Sequence, residues 1–259
     1  MKPVRTFYKS IGDISVYCEV FAKGDLADNT DAEGLFLLGK NNCIIFSHGN
    51  GEDGRIFSSV IESLCEDYYC ITLDSRGHGK TEAGKEEFTV DLLAEDISKV
   101  ADALNLGKFS ICGFSDGGNA AITYAFRHPE RISKLCVVGA NLNPAGMVLS
   151  AKLEIFIKCA IASLSKDKND EKWLKYQLLS LMANYPHISP RMLKNITCPT
   201  IVVDASRDLI QKKHTELITN SFPGAKRITV PDSTHNVFFS NPEYTAQMLN
   251  DFFNNKKPV

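Results

Sequence analysis

The strongest constraint on the fold is an alternation between short apolar runs and longer segments with helical periodicity. Each run has four or five residues, a length typical of a buried β-strand. The runs are Cys43 to Ser47, Tyr69 to Leu73, Phe109 to Cys112, Leu135 to Gly139, Thr200 to Asp204 and Arg227 to Val230. Segments with apolar residues three or four positions apart separate most of them. This order predicts an α/β fold with a mostly parallel sheet and helices on both faces.

The connecting helices and the start of the chain complete this prediction. The predicted helices are Ile56 to Cys65, Val90 to Leu104, Gly118 to Arg127, Lys213 to Ser221 and Glu243 to Phe253. Near the N-terminus, two segments with alternating side chains, Val4 to Ser10 and Ile14 to Phe21, flank a Gly-Asp turn and predict a β-hairpin. The stretch 25–42 is polar apart from Leu35 to Leu38, and we expect an extended connection with one further strand piece there.

The alternation breaks between residues 141 and 197. Two helical stretches, Ser150 to Leu164 and Asp170 to Ala183, follow one another there without a strand between them. Their faces are unusually apolar, so they must pack against another part of the protein. We therefore divide the chain into an α/β core, residues 1–140 and 198–259, and a helical cap or lid, residues 141–197. An ordinary packed helical layer is an equally consistent interpretation of this pattern.

Composition argues against several classes of partner. The chain has 259 residues, enough for one domain, and its 29 basic and 31 acidic side chains leave a net charge of −2. This balance gives no electrostatic reason to expect nucleic acid or an anionic membrane, so we expect a small-molecule substrate. The sequence shows no signal-like apolar segment at its start and no run of about 18 apolar residues, which predicts a cytoplasmic protein. It indicates no oligomeric state.

The clearest chemical signal is the hexapeptide 113–118, Gly-Phe-Ser-Asp-Gly-Gly. It follows a predicted strand and precedes a predicted helix. Glycines two residues before and after Ser115 permit a strained turn that exposes the serine hydroxyl, and the following helix directs backbone amides toward it. A structural glycine-rich turn is the alternative, but this context favours Ser115 as a nucleophile.

A serine nucleophile requires a base and a group that orients the base. In a parallel sheet we expect both in loops at the carboxyl ends of later strands. Asp208 follows the predicted strand Thr200 to Asp204, and His235 follows the predicted strand Arg227 to Val230, so they are the preferred acid and base. The alternatives are Asp204 and Asp232 for the acid, and His48, His78, His128, His187 and His214 for the base.

Acyl transfer also needs hydrogen-bond donors for the oxyanion that develops at the substrate carbonyl. One candidate is the backbone N–H of Asp116, directly after the nucleophile. The other is the backbone N–H of Asn50, in the loop Ser47 to Gly51, whose shape we expect His48 to maintain. Residues that flank these motifs or lie in the predicted cap are candidates for an apolar substrate pocket, although such residues more often belong to the core. They are Phe114, Leu142, Met147, Trp173, Val237 and Phe238.

Taken together, these segments resemble the motifs of the α/β-hydrolase superfamily. The matching segments are Ser47-His48-Gly49-Asn50-Gly51, Asp74-Ser75-Arg76-Gly77-His78-Gly79, the hexapeptide around Ser115, Asp208, and Ser233-Thr234-His235. They are similar to the HG loop, the DxRGHG turn, the nucleophile elbow, the acid loop and the histidine loop of that family. The resemblance implies an eight-stranded, mostly parallel sheet, a cap near residues 141–197, a Ser115–His235–Asp208 triad, and no cofactor or metal. The polar stretch 25–42 is longer than the usual link before the HG loop.

The resemblance implies a serine hydrolase of small acyl compounds that forms an acyl-enzyme, but it does not select a substrate. We favour a carboxylic ester. Thioester, lactone and carbon–carbon bond hydrolases share the fold and remain alternatives. A receptor that keeps the pocket without catalysis is a second class. A dinucleotide-binding oxidoreductase is a third, because residues 49–54 read GxGxxG and Asp74 follows about 20 residues later. Against it, Glu52 and Asp53 would place carboxylates beside a pyrophosphate.

Overall fold

The predicted strands belong to one eight-stranded sheet in a computed structural model, which describes residues 1–28, 42–164 and 171–256. The strands are β1 (Arg5–Ile11), β2 (Ile14–Phe21), β3 (Cys43–Ser47), β4 (Tyr69–Leu73), β5 (Phe109–Phe114), β6 (Ile132–Val138), β7 (Thr200–Arg207) and β8 (Lys226–Thr234). Their spatial order is β1-β2-β4-β3-β5-β6-β7-β8. The β1–β2 and β2–β4 pairs are antiparallel, and every pair from β4 to β8 is parallel. The predicted fold class is confirmed.

The helices cover both faces of the sheet. They are α1 (Asp25–Asp28), α2 (Ser58–Leu64), α3 (Val90–Ala103), α4 (Asp116–Arg127), α5 (Leu149–Ala162), α6 (Glu171–Asn184), α7 (Lys212–Ser221), α8 (Val237–Ser240) and α9 (Pro242–Phe253). Side chains of α3 and α4 pack in one apolar core cluster, and those of α2 and α9 pack in another. No helix within the described residues is long and apolar enough to span a membrane. The strand piece predicted at Leu35 to Leu38 lies outside the described residues.

Helix boundaries follow local capping chemistry. The hydroxyl of Thr89 accepts a hydrogen bond from the amide of Leu92 and so caps the start of α3. The helix predicted from Ile56 instead begins as a 3-10 turn over Gly54–Phe57, capped by the side chain of Asp53, before α2 proper. Both caps provide an acceptor for a backbone amide that has no partner within its own helix.

Strands β7 and β8 extend three to four residues beyond the predicted ends at Asp204 and Val230. The extension is polar, and paired side-chain hydrogen bonds hold it together. The hydroxyl of Ser233 accepts from the amide of Ser206, and the hydroxyl of Ser206 accepts from the amide of Ser233 and donates to its carbonyl. The parallel ladder therefore continues to the residues directly before the predicted acid and base.

The connection between β6 and β7 contains α5 and α6, as predicted, and its described residues include no strand. The two helices differ in burial. Helix α6 buries several side chains, among them Leu179 and Leu181, whereas only Ala151 of α5 is buried. An isolated bridge between Met147 and Ile210 ties the start of this connection to the loop after β7.

Candidate active site

Ser115 lies at the sharp turn between β5 and α4. Its backbone has φ +53° and ψ −119°, a region that a non-glycine residue rarely adopts. The amide of Ser115 donates a 2.8 Å hydrogen bond to the carbonyl of Val138, which helps to hold the turn. A Cβ on Gly113 would lie 2.4 Å from the carbonyl oxygen of Gly117, and one on Gly117 would lie 2.1 Å from that of Ser47. The turn therefore requires glycine at both positions.

The structure brings the side chains of Ser115, His235 and Asp208 together. His235 Nε2 lies 3.1 Å from Ser115 Oγ, and His235 Nδ1 lies 2.6 Å from Asp208 Oδ1. An ionised carboxylate can only accept a hydrogen bond, so Nδ1 of His235 carries the proton and donates a hydrogen bond to Asp208. Nε2 is then unprotonated and can accept a hydrogen bond from the Ser115 hydroxyl. The arrangement can take a proton from Ser115.

Asp208 is held by more than the histidine. Its two carboxylate oxygens also accept backbone hydrogen bonds, from Ala205 at 2.9 Å and from Ile210 at 3.0 Å. Burial by itself would raise the pKa of Asp208, but the hydrogen bond and charge of His235 and the two amides outweigh it, so the pKa is lowered. An ionised Asp208 is therefore stable beside the imidazole.

The alternative acids have other surroundings. Asp204 pairs with Arg227 and accepts a 2.7 Å hydrogen bond from Thr229. Asp232 is exposed at a left-handed position in β8, with φ +46°. Among the residues that the structure describes, only His235 hydrogen-bonds Ser115 Oγ. The ring of His235 also packs 5.1 Å, centroid to centroid, from that of Phe114.

Two of the other histidines join the loop after β3 to the turn after β4. Nδ1 of His48 donates to the carbonyl of Gly49, and its Nε2 accepts from the amide of Ser75. His78 has the same pattern: its Nδ1 donates to the carbonyl of Arg76, and its Nε2 accepts from the amide of Gly51. Burial lowers the pKa of His48, and burial together with His48 lowers the pKa of His78 to about 4. Both rings are therefore neutral and hold the loop in shape.

The turn after β4 is further fixed by Asp74, whose carboxylate accepts from the amides of Gly54 and Lys80 at 3.1 and 2.9 Å. Because both carboxylate oxygens of Asp74 already accept hydrogen bonds from the protein's own backbone, Asp74 is not available to bind the ribose of a dinucleotide. The GxGxxG string is also followed by a 3-10 turn rather than by a full helix N-terminus. The dinucleotide alternative therefore has no support in the fold.

The two predicted oxyanion donors sit beside Ser115. Within the described part of the chain, neither the backbone N–H of Asn50 nor that of Asp116 donates to another protein group. The side chains of the same residues are joined, since Asn50 Nδ2 donates to Asp116 Oδ2 at 3.0 Å. The same Nδ2 donates to the carbonyl of Leu178 on α6 at 3.0 Å, so the loop is also tied to the connection between β6 and β7.

A cavity of about 250 Å³ opens onto Ser115 and His235. Its lining residues are Asn50, Glu52, Phe114, Ser115, Asp116, Asn141, Met147, Ile155, Met182, Tyr185, Leu209, Ile210, His235 and Asn236. Within residues 1–28, 42–164 and 171–256, no group of His, Cys, Asp or Glu side chains is arranged to hold a metal ion. The wall is apolar on the side of α5 and α6, and polar near Ser115.

The predicted pocket residues divide into two groups. Phe114 and Met147 line the cavity, whereas Leu142, Trp173, Val237 and Phe238 do not. Leu142 and Val237 are fully buried in the two core clusters, and Phe238 packs edge-to-face against Phe57 and Phe114 beneath the site. Trp173 lies on α6 with its ring against Tyr176. Proximity to a motif in the sequence did not distinguish lining from core.

Several lining residues were not predicted from the sequence. Glu52 and Asn236 each lie within two residues of a predicted site residue, but this adjacency alone does not identify them, because Val237 is equally close to His235 and is buried in the core. Ile155, Met182 and Tyr185 come from the connection between β6 and β7. Their side chains reach the cavity because of the orientation of α5 and α6 on the core, which apolar periodicity does not determine.

Known proteins share this fold and parts of this sequence. The family model described as α/β hydrolase fold matches residues 42–158. A protein named putative esterase/lipase from Haemophilus influenzae is 24% identical over 238 residues, which cover 82% of this chain and 83% of that protein. A putative carbamate hydrolase from Caulobacter segnis is 34% identical over 103 residues, which cover 39% of each chain.

Among solved structures, an α/β hydrolase enzyme from a Medee basin deep-sea metagenome library superimposes with a TM-score of 0.79. The superposition covers 98% of this chain and 99% of that one at 14% sequence identity, so it shows a common fold. The family match covers the loop after β3, the turn after β4 and the Ser115 turn, and the fold extends the likeness to β7 and β8. The chain therefore has the α/β-hydrolase fold.

Proposed function

We propose that the chain is a serine hydrolase of small carboxylic esters, with Ser115 as nucleophile, His235 as general base and Asp208 as the acid that orients the histidine. The observation that carries the proposal is the hydrogen-bonded series Asp208 Oδ1, His235 Nδ1, His235 Nε2 and Ser115 Oγ, with spacings of 2.6 and 3.1 Å, at the wall of a cavity. The relative named as an esterase/lipase, which aligns over most of the chain, supports the ester as substrate.

In the proposed cycle, His235 Nε2 takes the Ser115 proton as Oγ attacks the ester carbonyl carbon. The resulting imidazolium is stabilised by ionised Asp208. His235 then gives this proton to the leaving alcohol as the carbon–oxygen bond breaks, and an acyl-enzyme remains on Ser115. Water attacks this acyl group after losing a proton to His235, and the carboxylic acid leaves as Ser115 recovers its proton.

The oxyanion of each tetrahedral intermediate is proposed to lie between the backbone N–H groups of Asn50 and Asp116. Neither amide donates to an acceptor within residues 1–28, 42–164 and 171–256, and Asp116 begins α4, whose dipole favours negative charge at that end. One such donor contributes about 3 kcal/mol to transition-state stabilisation. The Asn50–Asp116 side-chain contact supports this role because it connects the two loops that carry the amides.

Residues 141–197 are proposed to act as a cap on a core formed by residues 1–140 and 198–259. Ile155 of α5 and Met182 of α6 line the cavity from the side opposite the sheet. The hydrogen bond from Asn50 to the carbonyl of Leu178 supports the same arrangement, since it links α6 to the proposed oxyanion loop. On this proposal the cap bounds the space available to the acyl group.

The cavity size supports small substrates. At about 250 Å³ it falls just below the range of about 300–1,000 Å³ that is usual for ligand pockets. We therefore expect esters with short acyl groups, such as acetate and butanoate esters, to be preferred over long-chain esters.

The eight cysteines are all free thiols, which supports a reducing compartment such as the cytoplasm.

The proposal is tested by labelling with a fluorophosphonate probe and locating the label by mass spectrometry. We expect modification at Ser115 in the native chain and loss of labelling in His235→Ala, alongside turnover of p-nitrophenyl acetate. Asp232→Asn is the matched control, because it alters an exposed carboxylate on β8, the strand that directly precedes His235. A folded chain that neither labels at Ser115 nor turns over esters would favour a receptor without catalysis.

A further inference from the structure

The cavity beside Ser115 carries acidic side chains without basic ones. Glu52 and Asp116 both line it, whereas no Lys or Arg does so in the part of the chain that the structure describes. Neither carboxyl group forms an ion pair with another described residue. His235 is the lining side chain that can become positively charged. The cavity is therefore suited to positive rather than negative ligands.

The two carboxyl groups differ in what they contact. Asp116 Oδ2 accepts a 3.0 Å hydrogen bond from Asn50, and Asp116 Oδ1 lies 3.4 Å from the side-chain nitrogen of Asn119. Both oxygens of Asp116 thus interact with amide groups of the protein. Asp116 accordingly serves to hold the loops around Ser115, and a ligand would have to displace an existing contact to reach it.

Only one of the two carboxylate oxygens of Glu52 has a hydrogen-bond partner among the described residues. Its Oε1 accepts a hydrogen bond from the side-chain nitrogen of Asn236, but its Oε2 is shielded from solvent and has no hydrogen-bond partner among the described residues. Burial is the main reason that the pKa of Glu52 is raised, and the hydrogen bond from Asn236 offsets this only in part. A buried carboxylate oxygen is stabilised when a donor, and above all a charged donor, reaches it.

We propose that Glu52 recognises a cationic group of the substrate, and that the substrates are small esters with a primary ammonium close to the scissile bond. The inference rests on the proposed esterase function. An ammonium carries three N–H donors and a positive charge, so after rotation of the Glu52 side chain toward the cavity it would satisfy Oε2 and compensate the carboxylate. Glu52 and Ser115 share one cavity of about 250 Å³, so the ammonium and the ester carbonyl must belong to the same small molecule.

Glu52 also contacts the loop that carries His235, so positioning of that loop must be distinguished from recognition of a cation. Asn236, its hydrogen-bond partner, directly follows His235, so Glu52 would influence His235 through the chain if it only positioned that loop. A positioning role alters the hydrolysis of every ester by a similar factor. Recognition of a cation alters the hydrolysis of ammonium esters specifically, and the ratio of two substrates distinguishes the two cases.

The test compares matched pairs of p-nitrophenyl esters, glycinate with propanoate and 3-aminopropanoate with butanoate, in which an ammonium replaces a methyl group. The kcat/KM ratio of cationic to neutral ester is measured for the native chain, for Glu52→Gln and for Glu62→Gln. Glu62 is an exposed residue on α2, so its substitution removes the same charge outside the cavity. Comparing ratios between variants cancels the intrinsic reactivity of the esters.

We expect Glu52→Gln to lower the ratio for at least one pair by about 10- to 100-fold, as loss of a charged hydrogen bond would do, and Glu62→Gln to leave it within about twofold. Unchanged ratios in Glu52→Gln overturn the inference, whether both esters slow by the same factor or neither slows, while Ser115-dependent hydrolysis leaves the esterase function standing. Absence of turnover of all four esters by the native chain overturns the esterase function itself.

Inhibition of the native chain provides a measurement that does not depend on folding of the variant. n-Propylammonium and 1-propanol have the same heavy-atom framework, and each is tested as a competitive inhibitor of p-nitrophenyl butanoate hydrolysis. We expect the ammonium to inhibit at a concentration at least about tenfold lower. Equal inhibition by the two compounds overturns the proposed recognition by Glu52.

Discussion

Ser115 occupies a backbone conformation that costs a non-glycine residue about 1–3 kcal/mol. The surrounding backbone maintains it through close approach rather than through side-chain contacts. Gly113 and Gly117 allow the carbonyl groups of neighbouring turns to come within the space that a methyl group would fill. The exposed hydroxyl therefore depends on two residues that have no side chain.

Gly117→Ala is expected to lower the free energy of unfolding by about 3 kcal/mol or more, because the new methyl group would meet the rigid carbonyl of Ser47 at 2.1 Å. Urea unfolding followed by circular dichroism measures the loss. Gly49→Ala is the comparison, since its methyl group would meet side-chain atoms of Phe114 and Ser115 at the longer distance of 3.0–3.1 Å, which requires a much smaller shift. Equal stability losses in the two variants would contradict the role assigned to Gly117.

Asp208→Asn is expected to reduce kcat for p-nitrophenyl acetate by about 10³- to 10⁴-fold with little change in fold, because asparagine cannot stabilise the imidazolium of His235. The matched substitution Asp232→Asn should leave kcat within about twofold, since that side chain is exposed and asparagine tolerates its left-handed backbone. Steady-state kinetics on both variants measures the two values of kcat and so tests which aspartate is the acid. A large loss in Asp232→Asn alone would reverse the assignment of the acid.

At the scale of elements, α5 and α6 were predicted together but contribute differently to stability. Helix α6 buries Leu181, which is 1% exposed, against the core. Helix α5 instead leaves a row of large apolar side chains in contact with solvent. These exposed residues of α5 are Leu149, Leu153, Phe156, Ile157 and Ile161.

Leu181→Ala is therefore expected to lower the free energy of unfolding by about 2–5 kcal/mol through loss of burial and creation of a cavity. Phe156→Ser on α5 should change it by less than about 0.5 kcal/mol, because Phe156 is 64% exposed. Chemical unfolding of both variants under the same conditions gives the comparison. A loss of several kcal/mol in Phe156→Ser would show that α5 packs against more than the structure indicates.

Most elements could be predicted from the sequence because their signals are local. Buried parallel strands such as β3 and β4 are continuous apolar runs, and their observed ends match the predicted ones. The extension of β7 and β8 could not be predicted, since it depends on hydrogen bonds between Ser206 and Ser233, which are distant along the chain. The orientation of α5 and α6 depends on packing against the core, so their cavity-lining residues were also missed.

At the scale of the whole molecule, a buried ion pair joins the turn after β4 to α3. Arg76, 1% exposed, contacts both oxygens of Asp96 at 2.7 and 2.8 Å. Burial raises the pKa of Asp96 despite these contacts. Removing two charges from water offsets much of their mutual attraction in a buried pair, so we expect this pair to contribute more to the arrangement of the turn than to net stability.

Arg76→Met and Asp96→Leu should each lower the free energy of unfolding by about 3–5 kcal/mol, because each leaves an unpaired buried charge. The double variant should lose less than the sum of the two single losses. A double-mutant cycle by urea unfolding measures this coupling. Additive losses would contradict the description of the pair as mutually dependent.

Stability is also expected to fall as the pH decreases from 7 to 5.5. The folded pKa values of His48, His78 and His214 are lowered, so in this window the unfolded chain binds more protons than the folded one. For His78, with a folded pKa of about 4, the loss at pH 5.5 is about 1 kcal/mol. The raised pKa values of Glu52, Asp96 and Asp116 act in the opposite direction, so the comparison is limited to the range from pH 7 to 5.5, in which histidines of the unfolded chain take up protons. Urea unfolding at the two pH values should show the decrease, and equal stability would contradict it.

The position of α5 and α6 in the chain has an evolutionary consequence. Ser115 follows β5, while Asp208 and His235 directly follow the neighbouring strands β7 and β8, so the proposed reacting groups are encoded entirely outside the connection between β6 and β7. That connection encodes Met147, Ile155, Met182 and Tyr185 of the cavity wall. Recombination between relatives at the ends of β6 and β7 would therefore exchange this part of the cavity wall as one segment, without altering the proposed triad or Glu52.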